Sequence, residues 1–179
     1  IDAYSDSLIR GELSEAFWDA ALPQQMTSAV VSSPHFHVYL AAQVKMNDKG
    51  FLSRDISVRE LIEHRSDLHH IFPREYLKKS GLTKGLYNQV ANYVVAQSEI
   101  NIAIGKKEPK IYFSEIKEQC QGGKKKYGNI ATPDELTENL RMNCIPESIM
   151  GMTVAEYSDF LNQRRVLMAQ KIKDYFGSL

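Results

Sequence analysis

Apolar residues in this chain recur mostly at helical spacing, and the two stretches that depart from it lie near each other in the middle. Over residues 2–20, Leu8, Leu13, Phe17 and Trp18 share a helical face, and Pro23 marks a stop. A second helix is expected over 24–32, ahead of Pro34. The run 36–46 is almost continuously apolar, which suits a strand or a buried helix; helix is the reading taken. Asn47-Asp48-Lys49-Gly50 is a turn signal, and Ser57 with Glu60 makes a capping box for a short helix through His64. Pro109 suits the first turn of a helix reaching Cys120, with Tyr112, Phe113 and Ile116 turned inward. Residues 132–139 read as a capped helix with Pro133 at its first position. After a break at Ile145-Pro146, the longest helix is expected over 153–176, with Tyr157, Phe160, Leu161, Leu167, Met168, Ile172, Tyr175 and Phe176 forming its apolar stripe.

The exceptions to helical spacing are residues 68–72, apolar around the adjacent imidazoles His69 and His70 and closed by Pro73, and the β-rich run 91–97. Both read as strands, joined by a loop with Gly81 and Gly85 and a short helix over 74–79. Ser98 is placed to cap a further helix that carries Asn101 one turn in and fades at Gly105. Neighbouring strand residues face opposite sides, so His69 and His70 can serve one site only at a distorted strand end or with a metal at the strand edge. Strand, loop, strand and helix in this order can hold one divalent ion between an imidazole and an amide oxygen, leaving positions for water and a phosphate.

Composition is that of an ordinary globular domain of mixed α+β, mostly helical class, and no stretch approaches the roughly 20 apolar residues that span a bilayer. No signal peptide is visible, and the start at Ile1 rather than Met leads us to expect the C-terminal fragment of a longer protein. Cys120 and Cys144 lack the spacing of a zinc or redox motif, which fits unpaired thiols in a cytoplasmic setting. Net charge is zero, yet residues 1–68 carry 6 basic and 10 acidic side chains, residues 69–127 carry 11 and 5, and residues 128–179 carry 5 and 7. The excess of positive charge coincides with the two strands, where it can meet phosphates.

His69-His70-Ile71-Phe72-Pro73, followed by Asn92 and Asn101, resembles the ββα-metal core of HNH nucleases. The surrounding residues, from Gly50-Phe51-Leu52-Ser53 to Arg164-Arg165, are most similar to the C-terminal nuclease domain of the GmrSD-like, ParB-fold-associated restriction proteins. The resemblance implies an HNH core over 67–107, a helical extension over 1–66 and C-terminal helices over 108–179 packing on the core. It implies a DNA endonuclease that leaves 5′-phosphate and 3′-hydroxyl ends, as the effector of a restriction or anti-phage protein with an N-terminal ParB-like sensing and nucleotide-hydrolysing domain. His70 then becomes the general base, Asn92 the residue that shapes the loop between the strands, and His69 and Asn101 the metal ligands. His69 stands where many relatives carry Asp, so Mg²⁺, Mn²⁺, Ni²⁺ and Zn²⁺ all suit the donor set.

Lys78, Lys79, Lys84, Lys106 and Lys107 flank these residues and are candidates for the nucleic-acid backbone. Lys124, Lys125 and Lys126 belong to a glycine-rich stretch over 121–128 that reads as a mobile basic loop able to order on DNA. His64, Arg65 and Asp67 are candidates for supporting the metal or touching phosphate or else form a solvated helix end, the reading taken for His64, and Arg164 and Arg165 are candidates for a DNA or domain contact or a solvated helix face. His35 and His37 would not face each other on a helix and are read as structural, and Tyr112 and Phe113 as core. Two rivals stay open: a catalytically degenerate HNH-fold module that binds DNA or protein, and a structural zinc domain, for which two His and one Asn supply too few ligands.

Overall fold

Hydroxyl side chains fix where many of the helices begin. In a computed structural model, which describes residues 11–27, 30–64 and 68–179, Ser33 accepts from the Phe36 amide at 3.3 Å at the head of Pro34–Lys45. Ser57 with Glu60, and Thr132 with Glu135, close reciprocal capping boxes on Val58–Glu63 and Pro133–Met142. In chain order the helices are α1 (Leu22–Gln25), α2 (Pro34–Lys45), α3 (Val58–Glu63), α4 (Arg74–Lys79), α5 (Lys84–Tyr87), α6 (Ser98–Ile104), α7 (Pro109–Cys120), α8 (Pro133–Met142) and α9 (Tyr157–Gly177). Two antiparallel strands, β1 (Leu68–His70) and β2 (Tyr93–Val95), pair Leu68 with Val95, His69 with Val94 and His70 with Tyr93. The fold is α+β and mostly helical, and among the described residues no helix is long and apolar enough to cross a membrane.

Several expected boundaries move, each for a local reason. Pro23 does not stop a helix; it lies in the first turn of α1, directly after a π-helical turn, Phe17–Ala21, that the Leu22 amide closes on the Phe17 carbonyl. The helix expected over 24–32 ends at Gln25, where the Thr27 amide and hydroxyl both turn back to the Gln24 carbonyl. Both strands are shorter than expected because side chains replace the ladder: the Phe72 amide donates to Asn92 Oδ1, and a 3₁₀ turn, Val90–Asn92, precedes β2. The last helix starts at Tyr157, after a 3₁₀ turn capped by Thr153 and Glu156. Leu8, Arg65 and Asp67 lie outside the described residues, as do parts of the helices expected over 2–20 and 24–32.

One hydrophobic cluster runs from Trp18 to Ile172 and gathers Phe51, Ile71, Phe72, Tyr112, Phe113, Phe160 and Met168. Helix α9 packs along α1 and α2 and against the turn that precedes β2. Its expected stripe is buried at Tyr157, Phe160, Leu161, Met168 and Ile172, whereas Leu167 and Phe176 face solvent. Arg164 is fully buried instead of solvated, its guanidinium donating to the Ala91 carbonyl at 2.8 Å and the Asn143 carbonyl at 3.3 Å. Lys171 and Asp48 form a second buried polar contact as an ion pair. Asn139 clasps the turn after α2, accepting from the Leu52 amide and donating to the Gly50 and Ser53 carbonyls, while Leu52 takes a φ of 57°. Gly128 closes on the same turn; a Cβ there would meet the Leu52 carbonyl oxygen at 2.1 Å.

The glycine-rich stretch over 121–128 is anchored at its C-terminal end, while Lys124 and Lys125 are exposed. Tyr127 is buried, and Gln119 accepts from the Lys126 and Tyr127 amides while donating to the Tyr127 and Ile130 carbonyls. Cys120 and Cys144 are buried free thiols.

Candidate functional site

The chain leaves the β1–β2 pair at His70 and bends through Ile71 and Phe72, both fully buried, before Pro73 leads into α4. Asn92 makes that bend. Its side chain is fully buried, accepts from the Phe72 amide at 2.8 Å and donates to the Phe72 carbonyl at 3.1 Å and the Tyr87 carbonyl at 3.2 Å. Asn92 therefore holds the loop from inside and does not reach solvent.

His69 and His70, adjacent at the end of β1, are both among the residues that line one open cleft of about 400 Å³. Its walls are Leu68, His69, His70, Pro73, Arg74, Glu75, Asn101 and Gly105. Three of the four residues picked out by the motif thus meet at one place, with Asn101 exposed on α6 and His69 only 8 % exposed. The His70 ring stands edge-on to Tyr93, with centroids 5.0 Å apart, and near Tyr87 at 6.4 Å, and its Nε2 lies 3.0 Å from Asn88 Oδ1. Burial pulls the His70 pKa below the ordinary imidazole range, against the Asn88 hydrogen bond, and the charges of Arg74 and His69 push the same way as burial. The ring is consequently neutral near pH 7 and carries a lone pair.

Arg74 and Glu75 were not picked out as site residues from the sequence, although their position directly after Pro73 was a usable signal. Glu75 bridges the Arg74 guanidinium and the Lys78 ammonium, each at 3.3 Å, and Lys78 chiefly, then Arg74, lowers its pKa. None of the eight candidate lysines lines the cleft. Lys79, Lys84, Lys106, Lys124 and Lys125 are exposed around it and beyond. Lys107 is committed elsewhere: its ammonium binds Glu115 at 2.8 Å and the Tyr127 hydroxyl at 2.6 Å, and Lys126 lies 3.6 Å from the same carboxylate. Arg164 is spent inside the fold, and Arg165 reaches Gln89 Oε1 at 3.1 Å. His35 pairs with Gln25 on the surface, away from the cleft.

Comparison with family models, with curated proteins and with solved structures matches none of them to this chain.

Proposed function

We propose that this chain is a metal-dependent nuclease domain that hydrolyses DNA phosphodiester bonds, serving as the effector of a restriction or defence protein. The observation that carries this is the meeting of His69, His70 and Asn101 in one open cleft beside Arg74. A neutral imidazole, two further donors and a cation are groups that metal-assisted phosphodiester hydrolysis can use.

His70, neutral through burial, would take a proton from the attacking water. His69 and Asn101 would hold one divalent ion through an imidazole nitrogen and an amide oxygen. Among the described residues no group of three or more His, Cys, Asp or Glu is arranged to hold a metal; in this reading the ion would rest on these two protein donors, with water and phosphate completing its shell. Such an ion, when bound, neutralises charge growing on the phosphate and the departing 3′ oxygen. Arg74 would orient the phosphate, and the exposed Lys79, Lys84 and Lys106 would add backbone contacts outside the cleft. The likeness of His69-His70-Ile71-Phe72-Pro73, Asn92 and Asn101 to the HNH pattern supports the same chemistry.

The test is incubation of supercoiled plasmid with the purified chain and Mg²⁺, Mn²⁺, Ni²⁺ or EDTA, followed by DNA ligase. Metal-dependent nicks that ligase reseals are expected, since resealing needs 5′-phosphate and 3′-hydroxyl ends. A folded protein that retards DNA and cuts nothing with any of these metals would instead be a binding module.

A further inference from the structure

Asn88 belongs to no motif, yet it makes the polar contact that the His70 ring has in this structure, with Nε2 and Oδ1 3.0 Å apart. An amide oxygen only accepts, so with Oδ1 facing the ring the bond is donated by Nε2–H, and Nδ1 is the ring nitrogen that Asn88 leaves free for another partner. We infer that Asn88 is a positioning residue for His70: it selects which ring nitrogen can accept a proton and holds the ring at the cleft wall. The inference rests on the reading of His70 as general base.

The segment that carries Asn88 is built to hold it still. Asn88 ends α5, its amide donating to the Lys84 carbonyl at 3.1 Å. On one side Tyr87 offers its carbonyl to the Asn92 amide at 3.2 Å and to the Tyr157 hydroxyl at 3.4 Å. On the other, Gln89 donates to the Gly85 carbonyl at 2.6 Å and accepts from Arg165 at 3.1 Å. Tyr157 and Arg165 both stand on α9, so the longest helix braces the loop whose amide meets the imidazole. The rings of Tyr93 and Tyr87 restrict the imidazole plane, and Asn88 decides its orientation within that plane. Partners that orient metal-ligating imidazoles are worth roughly 10- to 100-fold in activity, and a similar factor is expected for Asn88.

Long-range ¹H–¹⁵N spectra of histidine-labelled protein at pH 8.5 read the tautomer directly. Wild type is expected to show His70 protonated on Nε2. Asn88→Ala should release it to a mixture and slow cleavage by roughly 10- to 100-fold with DNA binding unchanged, while Asn88→Asp, which keeps an acceptor, should retain the Nε2 proton. A wild-type ring protonated on Nδ1, or a tautomer unaltered in folded Asn88→Ala, overturns the inference; the first result needs no variant to fold. DNA cleavage combined with an Asn88-independent tautomer would remove the positioning role and keep the nuclease. An Asn88-dependent tautomer in a protein that cuts no DNA would keep the positioning and remove the nuclease.

Discussion

Asn92 and Asn101 are the same side chain nine residues apart, and the fold treats them in opposite ways. Asn92 is fully buried, with its amide bonded to the Phe72 and Tyr87 backbone, whereas Asn101 is exposed on α6 and faces the cleft. The contrast extends to the regions around them. On the inside, Asn139, Asn143, Gln119 and Arg164 each bind several backbone groups and thereby fix turns that no regular ladder reaches. At the cleft, His70, Asn101 and Arg74 keep surface open to a ligand. The two asparagines are thus divided between holding the chain and lining an open cleft.

That division can be broken by substitution. Arg164→Ala should have the largest effect, because it takes the guanidinium from the buried Ala91 carbonyl, leaves the Asn143 carbonyl with the Tyr39 hydroxyl as its side-chain donor, and opens a cavity under α9. A loss of about 3–5 kcal/mol in urea unfolding is expected, and a loss below about 1 kcal/mol would mean that the buried arginine does not brace the fold. Asn92→Leu should cost about 2–4 kcal/mol by stranding the Phe72 amide and carbonyl in the core. Asn101→Ala, by contrast, should leave stability unchanged within about 0.5 kcal/mol or raise it slightly, since alanine favours the helix. A comparable loss for both asparagines would erase the contrast.

Smaller effects sharpen it. Arg74→Ala should weaken DNA retention about 5-fold at moderate salt and lower the slope of log affinity against log salt by about 1, with little change in melting temperature. An unaltered salt slope would remove Arg74 from the phosphate path. A further, pH-dependent change is expected for Glu115→Gln, a residue that does not line the cleft. Lys107 first, then Tyr127, lower the Glu115 pKa, so its carboxylate stabilises the fold above its unfolded pKa of about 4.3 and loses that contribution as pH falls through the depressed folded value. The variant should therefore melt about 2–4 °C lower at pH 7, the effect being small because the pair is solvent-screened, and the gap to wild type should close below pH ~4.

Much of the helical frame was legible in local residues. Ser57 with Glu60, Thr132 with Pro133 and Glu135, and Pro109 announce helix starts through chemistry confined to one turn. His69, His70 and Asn101, which the structure brings to one cleft, stand out through their resemblance to the HNH pattern and not through anything the helical frame announces. What could not be read is the long-range use of polar groups. Arg164 looked like a solvated helix residue, since nothing nearby in sequence shows that carbonyls of Ala91 and Asn143 await it. The lysines of the 121–128 stretch suggested mobility, while the decisive residue was Gln119, in the preceding helix, whose amide grips the C-terminal end of the loop. Lys107 had the right charge for DNA, yet Glu115 and Tyr127 claim it. Asn88 and Arg74 acquire meaning only when the bend after His70 brings their segments to the imidazoles.

The most direct measurement is the rate of plasmid nicking by His70→Ala at equal folded concentration, beside its melting temperature and DNA affinity. If the cleft is kept for chemistry, cleavage should fall by roughly 10²–10⁴-fold while melting and binding stay close to wild type. Equal cleavage by the two proteins would contradict the assignment of His70, and with it the claim that this cleft is the reactive end of the fold.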